Sequence, residues 1–294
     1  MKPFTFEDAF VLADTYDETE LYYFIGNSKV PSMYNNNKIV LDFVPSAEEL
    51  DMLEENFLDY AYDLNLSYYS FVMPMNQSLS PELFASIGEV GYQLSMTKLM
   101  VLDPKDFKVS SKAIDTYGDR LVIKEIDESD MQAYIDFNQI HDKAIDAEFA
   151  QQKQNYYPWF LKEENTHALA AFVDGKLVGL SDIIRHARSY EIDNFQVLEA
   201  YQRQGIGSLL QAWVVEKALA ADKMVILVAD ADDSPYEMYI KQGYQDIGME
   251  IEISRKIEEP IIADIQVYQA DPVAYMLENG LDDEDYDDED YEEE

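Results

Sequence analysis

The sequence predicts an α/β fold built from two related halves, and three observations carry that reading. From Leu121 onward, apolar runs of strand length alternate with amphipathic stretches of helical spacing. Asp174-Gly175 joins two of those runs as a strong hairpin-turn signal. The first half repeats, more faintly, the element order that closes the second.

Taken in order, residues 38–44 read as a strand, 47–64 as a long helix, 68–72 as a strand, 81–90 as a helix opening on proline, and 92–102 as a strand. In the second half, 121–126 is a strand, and Asp127 to Asp130 offer caps for a helix carrying Met131, Tyr134, Ile135 and Phe137. An aromatic stretch at 156–160 precedes the hairpin strands 167–173 and 176–185. A strand at 190–198 then runs into a glycine-containing turn and a helix over 208–221. The chain closes with a buried strand at 224–229, a helix at 235–241 and a strand at 244–254. Gly91-Tyr92 and Gly243-Tyr244 occupy matching places, each ending a helix with glycine and opening a strand with tyrosine. Residues 1–118 are therefore expected to be a degenerate half-copy of 119–260, with 261–294 as a C-terminal extension.

Composition narrows the function classes. The chain has no cysteine, which excludes disulfides, thiolate metal sites and a cysteine nucleophile. His141, His167 and His186 lack ligand spacing, so no metal is expected. The N-terminal stretch has an early acid in place of a signal segment, and no run approaches the roughly 20 apolar residues of a membrane helix, so a cytoplasmic protein is expected. The formal net charge is -39, and the acid-rich tail from Asp282 onward is expected to be disordered. Such a field disfavours nucleic acid and anionic membrane, and favours a cationic amine.

The chemistry concentrates at Val197-Leu198-Glu199-Ala200-Tyr201-Gln202-Arg203-Gln204-Gly205-Ile206-Gly207-Ser208, where a strand enters an amphipathic helix. The first helical turn leaves amide donors without intrahelical partners, and the helix dipole favours an anion there. Gly205 and Gly207 remove Cβ atoms that would hold a diphosphate away. The matching helix start in the first half, Pro45-Ser46-Ala47-Glu48-Glu49, has carboxylates and no glycine, so the second half is expected to hold any nucleotide-like ligand.

The spacing fits neither a Rossmann turn nor a P-loop. It resembles the GNAT acetyltransferase pattern of Gln or Arg, two residues, Gly, one residue, then Gly or Ala, filled here by Gln202, Gly205 and Gly207. Downstream, Tyr239-Ile240-Lys241-Gln242-Gly243-Tyr244 resembles that family's next motif, so the resemblance covers residues 119–256. It implies a mixed, mostly antiparallel central sheet flanked by helices, and acetyl-CoA as cosubstrate. It implies that the amides from Gln202 through Arg203, Gln204, Gly205, Ile206 and Gly207 to Ser208 bind the coenzyme pyrophosphate. It further places the pantetheine arm and acetyl carbonyl along Val197 and Leu198, a coenzyme contact at Asp232, and a proton donor to the departing thiolate at Tyr239. Glu191 falls where some members carry a catalytic glutamate, with Asp193 next on the same strand face. Tyr156, Tyr157, Trp159 and Phe160 lie where the family builds the acceptor wall. The reaction implied is acetyl transfer to a primary amine of a small molecule or peptide. A non-catalytic acyl-CoA-binding or protein-interaction module is the alternative, favoured by Asp232 standing where many members have asparagine. Neither nucleic acid nor membrane is an expected partner; a homodimer is compatible with the sequence.

Overall fold

The computed structural model describes residues 2–231 and 236–279. Asp232 and the acidic tail lie outside the described residues. Eleven strands form a single sheet. The first half contributes β1 (Thr15–Glu18), β2 (Tyr22–Gly26), β3 (Lys38–Leu41), α1 (Ala47–Leu64), β4 (Tyr68–Val72), α2 (Pro81–Val90) and β5 (Gln93–Leu102). A connecting helix α3 (Lys112–Tyr117) leads to β6 (Leu121–Glu125), α4 (Met131–Ile145), α5 (Ala147–Phe160), β7 (Thr166–Val173), β8 (Lys176–Arg185) and β9 (Ser189–Val197). Then come α6 (Ile206–Ala220), β10 (Met224–Asp230), α7 (Tyr236–Gln242), β11 (Gln245–Lys256), α8 (Glu259–Ala270) and α9 (Pro272–Asn279).

The sheet order β1-β2-β3-β4-β11-β5-β10-β9-β8-β7-β6 shows that the halves exchange their last strands. β11 lies antiparallel between β4 and β5, and β5 lies antiparallel between β11 and β10. On either side, β3 with β4 and β9 with β10 are the parallel pairs, so the arrangement is symmetric about the β5/β11 contact. The repeat extends to local bonds. Gly91 and Gly243 close α2 and α7 with φ of 92° and 108°. The next amides donate to equivalent carbonyls, Tyr92 to Ile87 at 2.9 Å and Tyr244 to Tyr239 at 3.1 Å. A side chain at these caps would sit in left-handed backbone, which is why glycine recurs there.

The exchange completes each core with the other half's residues. Ile251, Ile253, Ile257 and Ile265 pack among Phe24, Phe57 and Phe71, while Met100 and Leu102 pack with Leu210, Val214 and Val225. Each such buried side chain contributes about 1.5–3 kcal/mol, so neither half holds its full core alone.

Three features lie outside the sequence expectations. β1 and β2 extend the sheet edge, the aromatic stretch continues α5 with Pro158 inside it, and α8 and α9 fold back after the last strand.

Candidate active site

β9 is held to β8 along its length, but it pairs with β10 only at Ser189, Tyr190 and Glu191. β10 then continues to Asp230 bonded to β5, so the two parallel strands part and leave one edge of β9 facing a cleft. A bulge sits in that stretch. The register with β8 shifts between Leu180/Gln196 and Asp182/Asp193, and Asn194 takes a φ of 45°.

Beyond Val197 the chain makes one 3-10 turn and reverses. Arg203 and Gly205 adopt φ of 56° and 88°, and Gly205 caps α6, whose first bond runs from the Leu209 amide to the Gly205 carbonyl at 3.2 Å. The amides of Arg203 to Ser208 find no acceptor among the described residues. Gln202 and Gln204 turn their side-chain amides inward, onto the carbonyls of Val197 at 3.0 Å and Ala200 at 2.8 Å, and thereby fix the loop. Unpaired donors at a helix start suit an anion with several oxygens, and this donor set fits a diphosphate.

The glycines have a different reason from the one expected. A Cβ on Gly205 would lie 2.8 Å from the Ala113 amide nitrogen, and one on Gly207 would lie 2.9 Å from the Phe195 ring. The space beside them belongs to α3 and β9 rather than to a ligand; the glycines let α3 and Phe195 close against the turn. Around it, the Ser110 amide donates to the Ser208 hydroxyl at 2.9 Å, Lys112 Nζ donates to the Arg203 carbonyl at 2.7 Å, and the Tyr117 hydroxyl donates to Gln204 Oε1.

Val197 and Leu198 end β9 at this turn, but the Leu198 amide donates to the Val178 carbonyl at 2.9 Å. That amide is therefore already paired, and the β9 edge left without a strand partner lies nearer the bulge. Tyr239 is buried on α7, with Phe195 and Tyr244 as ring neighbours at 6.5 and 5.5 Å. Tyr239 and Phe195 thus belong to one hydrophobic cluster beside β9.

Glu191 is buried at the closed end of the strand pair. Its Oε2 accepts from the Phe10 amide at 2.9 Å and meets His186 Nε2 at 2.6 Å. Burial raises its pKa, with the His186 contact and the Phe10 amide opposing and the Asp193 charge adding. The same N-terminal arm is tied by Arg188, which donates to Asp8 and the Pro3 carbonyl and stacks on Phe4 at 3.8 Å. Asp193, by contrast, is exposed on β9 beside the bulge.

On the α4 and α5 side of the bulge lies a polar cluster that sequence reading missed. Asp182 on β8 is buried, and it accepts from the Tyr134 hydroxyl at 3.0 Å and Asn194 Nδ2 at 2.9 Å. Asn138 Oδ1 accepts from the same Asn194 nitrogen at 2.9 Å. Burial and the nearby Asp193 charge push Asp182 up to about 7 against those hydrogen bonds. Lys153 stands beside it, 4.4 Å over the Tyr156 ring and 5.0 Å over the Tyr157 ring, with burial lowering its pKa. Tyr156, Tyr157 and Phe160 are buried core and Trp159 is half-buried under Lys29 at 3.5 Å, so these aromatics support the cleft wall from behind. A lone carboxylate inside the apolar β8 run was the signal available for Asp182.

In the first half the matching helix start is closed. The Ser46 hydroxyl accepts from the Glu49 amide at 3.2 Å and the Glu49 carboxylate accepts from the Ser46 amide at 2.7 Å, placing negative charge where an anion would bind.

The parted β9/β10 pair and the glycine turn at the head of α6 lie within a stretch that is similar to GNAT acetyltransferase domains. Residues 126–254 match the family model described as acetyltransferase (GNAT) domain, and residues 4–100 match a domain of unknown function, DUF5613. A functionally unknown conserved protein from Staphylococcus epidermidis is 25% identical, with a TM-score of 0.77, covering 87% of this chain and 98% of its own. A GCN5-related N-acetyltransferase from Kribbella flavida shares the fold at 14% identity and a TM-score of 0.57, over 82% of this chain and 89% of its own. A tandem GNAT protein from the clavulanic acid biosynthesis pathway shares it at 9% identity and 0.51, over 84% and 85%. No curated protein matches the sequence. Among the described residues no acidic or histidine group is arranged to hold a metal ion, and no helix is long and apolar enough to cross a membrane.

Proposed function

We propose that this protein transfers an acetyl group from acetyl-CoA to a primary amine of a small molecule or peptide, by direct attack of the amine on the thioester. The observation that carries the reading is the row of amides from Arg203 to Ser208, without acceptors among the described residues, at the end of a cleft opened between β9 and β10.

In this reading the turn holds the coenzyme diphosphate and the cleft holds the pantetheine arm. The unpaired edge of β9 near the bulge accommodates the acetyl carbonyl as charge gathers on its oxygen. The amine nitrogen bonds to the carbonyl carbon and the carbon–sulfur bond breaks. Tyr239 supplies the proton that the leaving thiolate takes up. The amine's own proton passes, through water, to a carboxylate; Asp193 is the accessible candidate, and Glu191, already engaged with Phe10 and His186, is the second. The chain's net charge of -39 favours a cationic acceptor, and we place the protein in the cytoplasm.

Thermal denaturation with and without acetyl-CoA, followed by thiol release against a panel of amines, tests the proposal. Stabilisation and turnover support it. Stabilisation with no turnover on any amine would favour the binding-module alternative, and no stabilisation would remove the coenzyme site altogether.

A further inference from the structure

We infer that Lys112, carried by the segment joining the two halves, is a coenzyme-binding residue that holds the phosphates of acetyl-CoA at the turn. The inference rests on the acetyl-CoA reading above and adds to it a charge from outside the GNAT motif.

Lys112 Nζ already lies at the turn, 2.7 Å from the Arg203 carbonyl, so its ammonium stands beside the row of free amides. Its position is fixed from both sides. Ala113 packs fully buried against Gly205, the Ser110 amide bonds the Ser208 hydroxyl, and the Tyr117 hydroxyl bonds Gln204. Arg203 stands within the turn itself, and Lys176 lies 5.7 Å over the ring of Tyr201, the residue just before that turn. None of the three has a carboxylate within 4.0 Å among the described residues, although acids outnumber bases by 60 to 21 in the chain. Arg120, the next base along the segment, differs: it pairs with Asp174 at 3.3 Å. In so acidic a protein, unpaired bases gathered at a turn of free donors complement a multiply charged anion. Because Lys112 is exposed and bonded to a backbone carbonyl rather than to an acid, it can swing to a phosphate without breaking an ion pair.

The test compares wild type with Lys112→Ala, Lys112→Arg and Lys112→Glu. Affinity for acetyl-CoA is measured by calorimetry at low and high salt. Turnover is measured with acetyl-CoA and with S-acetylpantetheine, a donor that lacks the phosphates. We expect Lys112→Ala to weaken acetyl-CoA binding about tenfold at low salt, Lys112→Glu to weaken it further, and Lys112→Arg to recover most of it. The kcat/KM for S-acetylpantetheine should stay unchanged in all three, and the loss should shrink at high salt. Unchanged acetyl-CoA affinity in Lys112→Ala, or an equal loss with both donors, overturns the inference while leaving the coenzyme site standing. Failure of the wild type to bind acetyl-CoA overturns both.

Discussion

The Tyr134 hydroxyl lies 3.0 and 3.1 Å from the two carboxylate oxygens of Asp182, inside the protein and behind the bulge of β9. Asn194 reaches the same carboxylate from the bulge itself, so α4, β8 and the cleft edge of β9 are tied at one buried acid. Burial there favours the neutral form, and the Asp193 charge adds to it.

This acid should give the fold an inverted pH dependence. Asp182 is pushed from its ordinary 3.8 to about 7 in the folded protein, so between those values the folded chain holds a proton that the unfolded chain has released. Stability must then fall as pH rises through that window, by up to about 1.4 kcal/mol per pH unit, and level off above it. Glu250, pushed up to about 7 chiefly by burial, acts in the same direction. Urea unfolding at pH 5, 6.5 and 8 should show the wild type weakest at pH 8 and Asp182→Asn with a flatter profile. Parallel profiles for the two proteins would show that Asp182 does not carry the effect.

Two glycines should respond oppositely to alanine. Gly205 has a φ of 88° and would drive a Cβ to 2.8 Å from the Ala113 nitrogen, whereas Gly88 lies in α2 with nothing within 4 Å of its added Cβ. Gly205→Ala should cost about 1–2 kcal/mol from the left-handed backbone, with the collision adding to it. Gly88→Ala should stabilise by about 0.5–1 kcal/mol, since alanine loses less backbone freedom in a helix. Differential scanning calorimetry would read both signs; a higher melting temperature for Gly205→Ala would contradict the packing of α3 on the turn.

Arg255 offers a test of the exchanged strands. It stands on β11 yet bonds Glu54 of α1 through Nε at 3.0 Å and Nη2 at 2.5 Å, and Tyr92 donates to the same carboxylate at 2.5 Å. Removing it strands a half-buried carboxylate, so Arg255→Ala should cost about 3–5 kcal/mol, and Arg255→Lys should recover little of the forked geometry. Because each core borrows the other half's residues, both halves should melt in one transition even in Arg255→Ala. Separate transitions seen by tryptophan fluorescence, which reports Trp159 and Trp213 of the second half, and by far-ultraviolet dichroism would argue against that coupling.

How much of this was legible depended on how local each cause is. The turn at 202–208, the closing Gly-Tyr pairs and the hairpin at Asp174-Gly175 are set by neighbours in sequence, and each reads directly from the residues. The family pattern pointed to that same turn for the same reason. The exchange of β5 and β11 could not be read, because both strands look alike as apolar runs and their order depends on which half's core they complete. Asp182 and Lys112 were hidden likewise. Their surroundings come from segments distant in sequence, and an isolated carboxylate or lysine carries no mark of that. The stretch at 156–160 reads only as aromatic in sequence; in the fold α5 runs through Pro158, and the flanking aromatics pack in one core with Tyr134 and Leu180.

The division of labour among Asp193, Glu191 and Tyr239 is decided by kinetics on a working amine. Glu191 is buried and holds the N-terminal arm through the Phe10 amide, so Glu191→Gln should lower the melting temperature and leave kcat within about threefold. Asp193 is exposed beside the bulge, so Asp193→Asn should leave the melting temperature near that of the wild type while lowering kcat/KM about a hundredfold, the usual worth of a general base. Tyr239→Phe should lower kcat with little change in acetyl-CoA affinity, because a proton donated to a leaving thiolate matters in the transition state and not in the bound complex. A Glu191→Gln protein that folds normally and loses turnover, beside an Asp193→Asn protein that keeps it, would move the base to the closed end of the strand pair. The N-terminal arm would then be its cover.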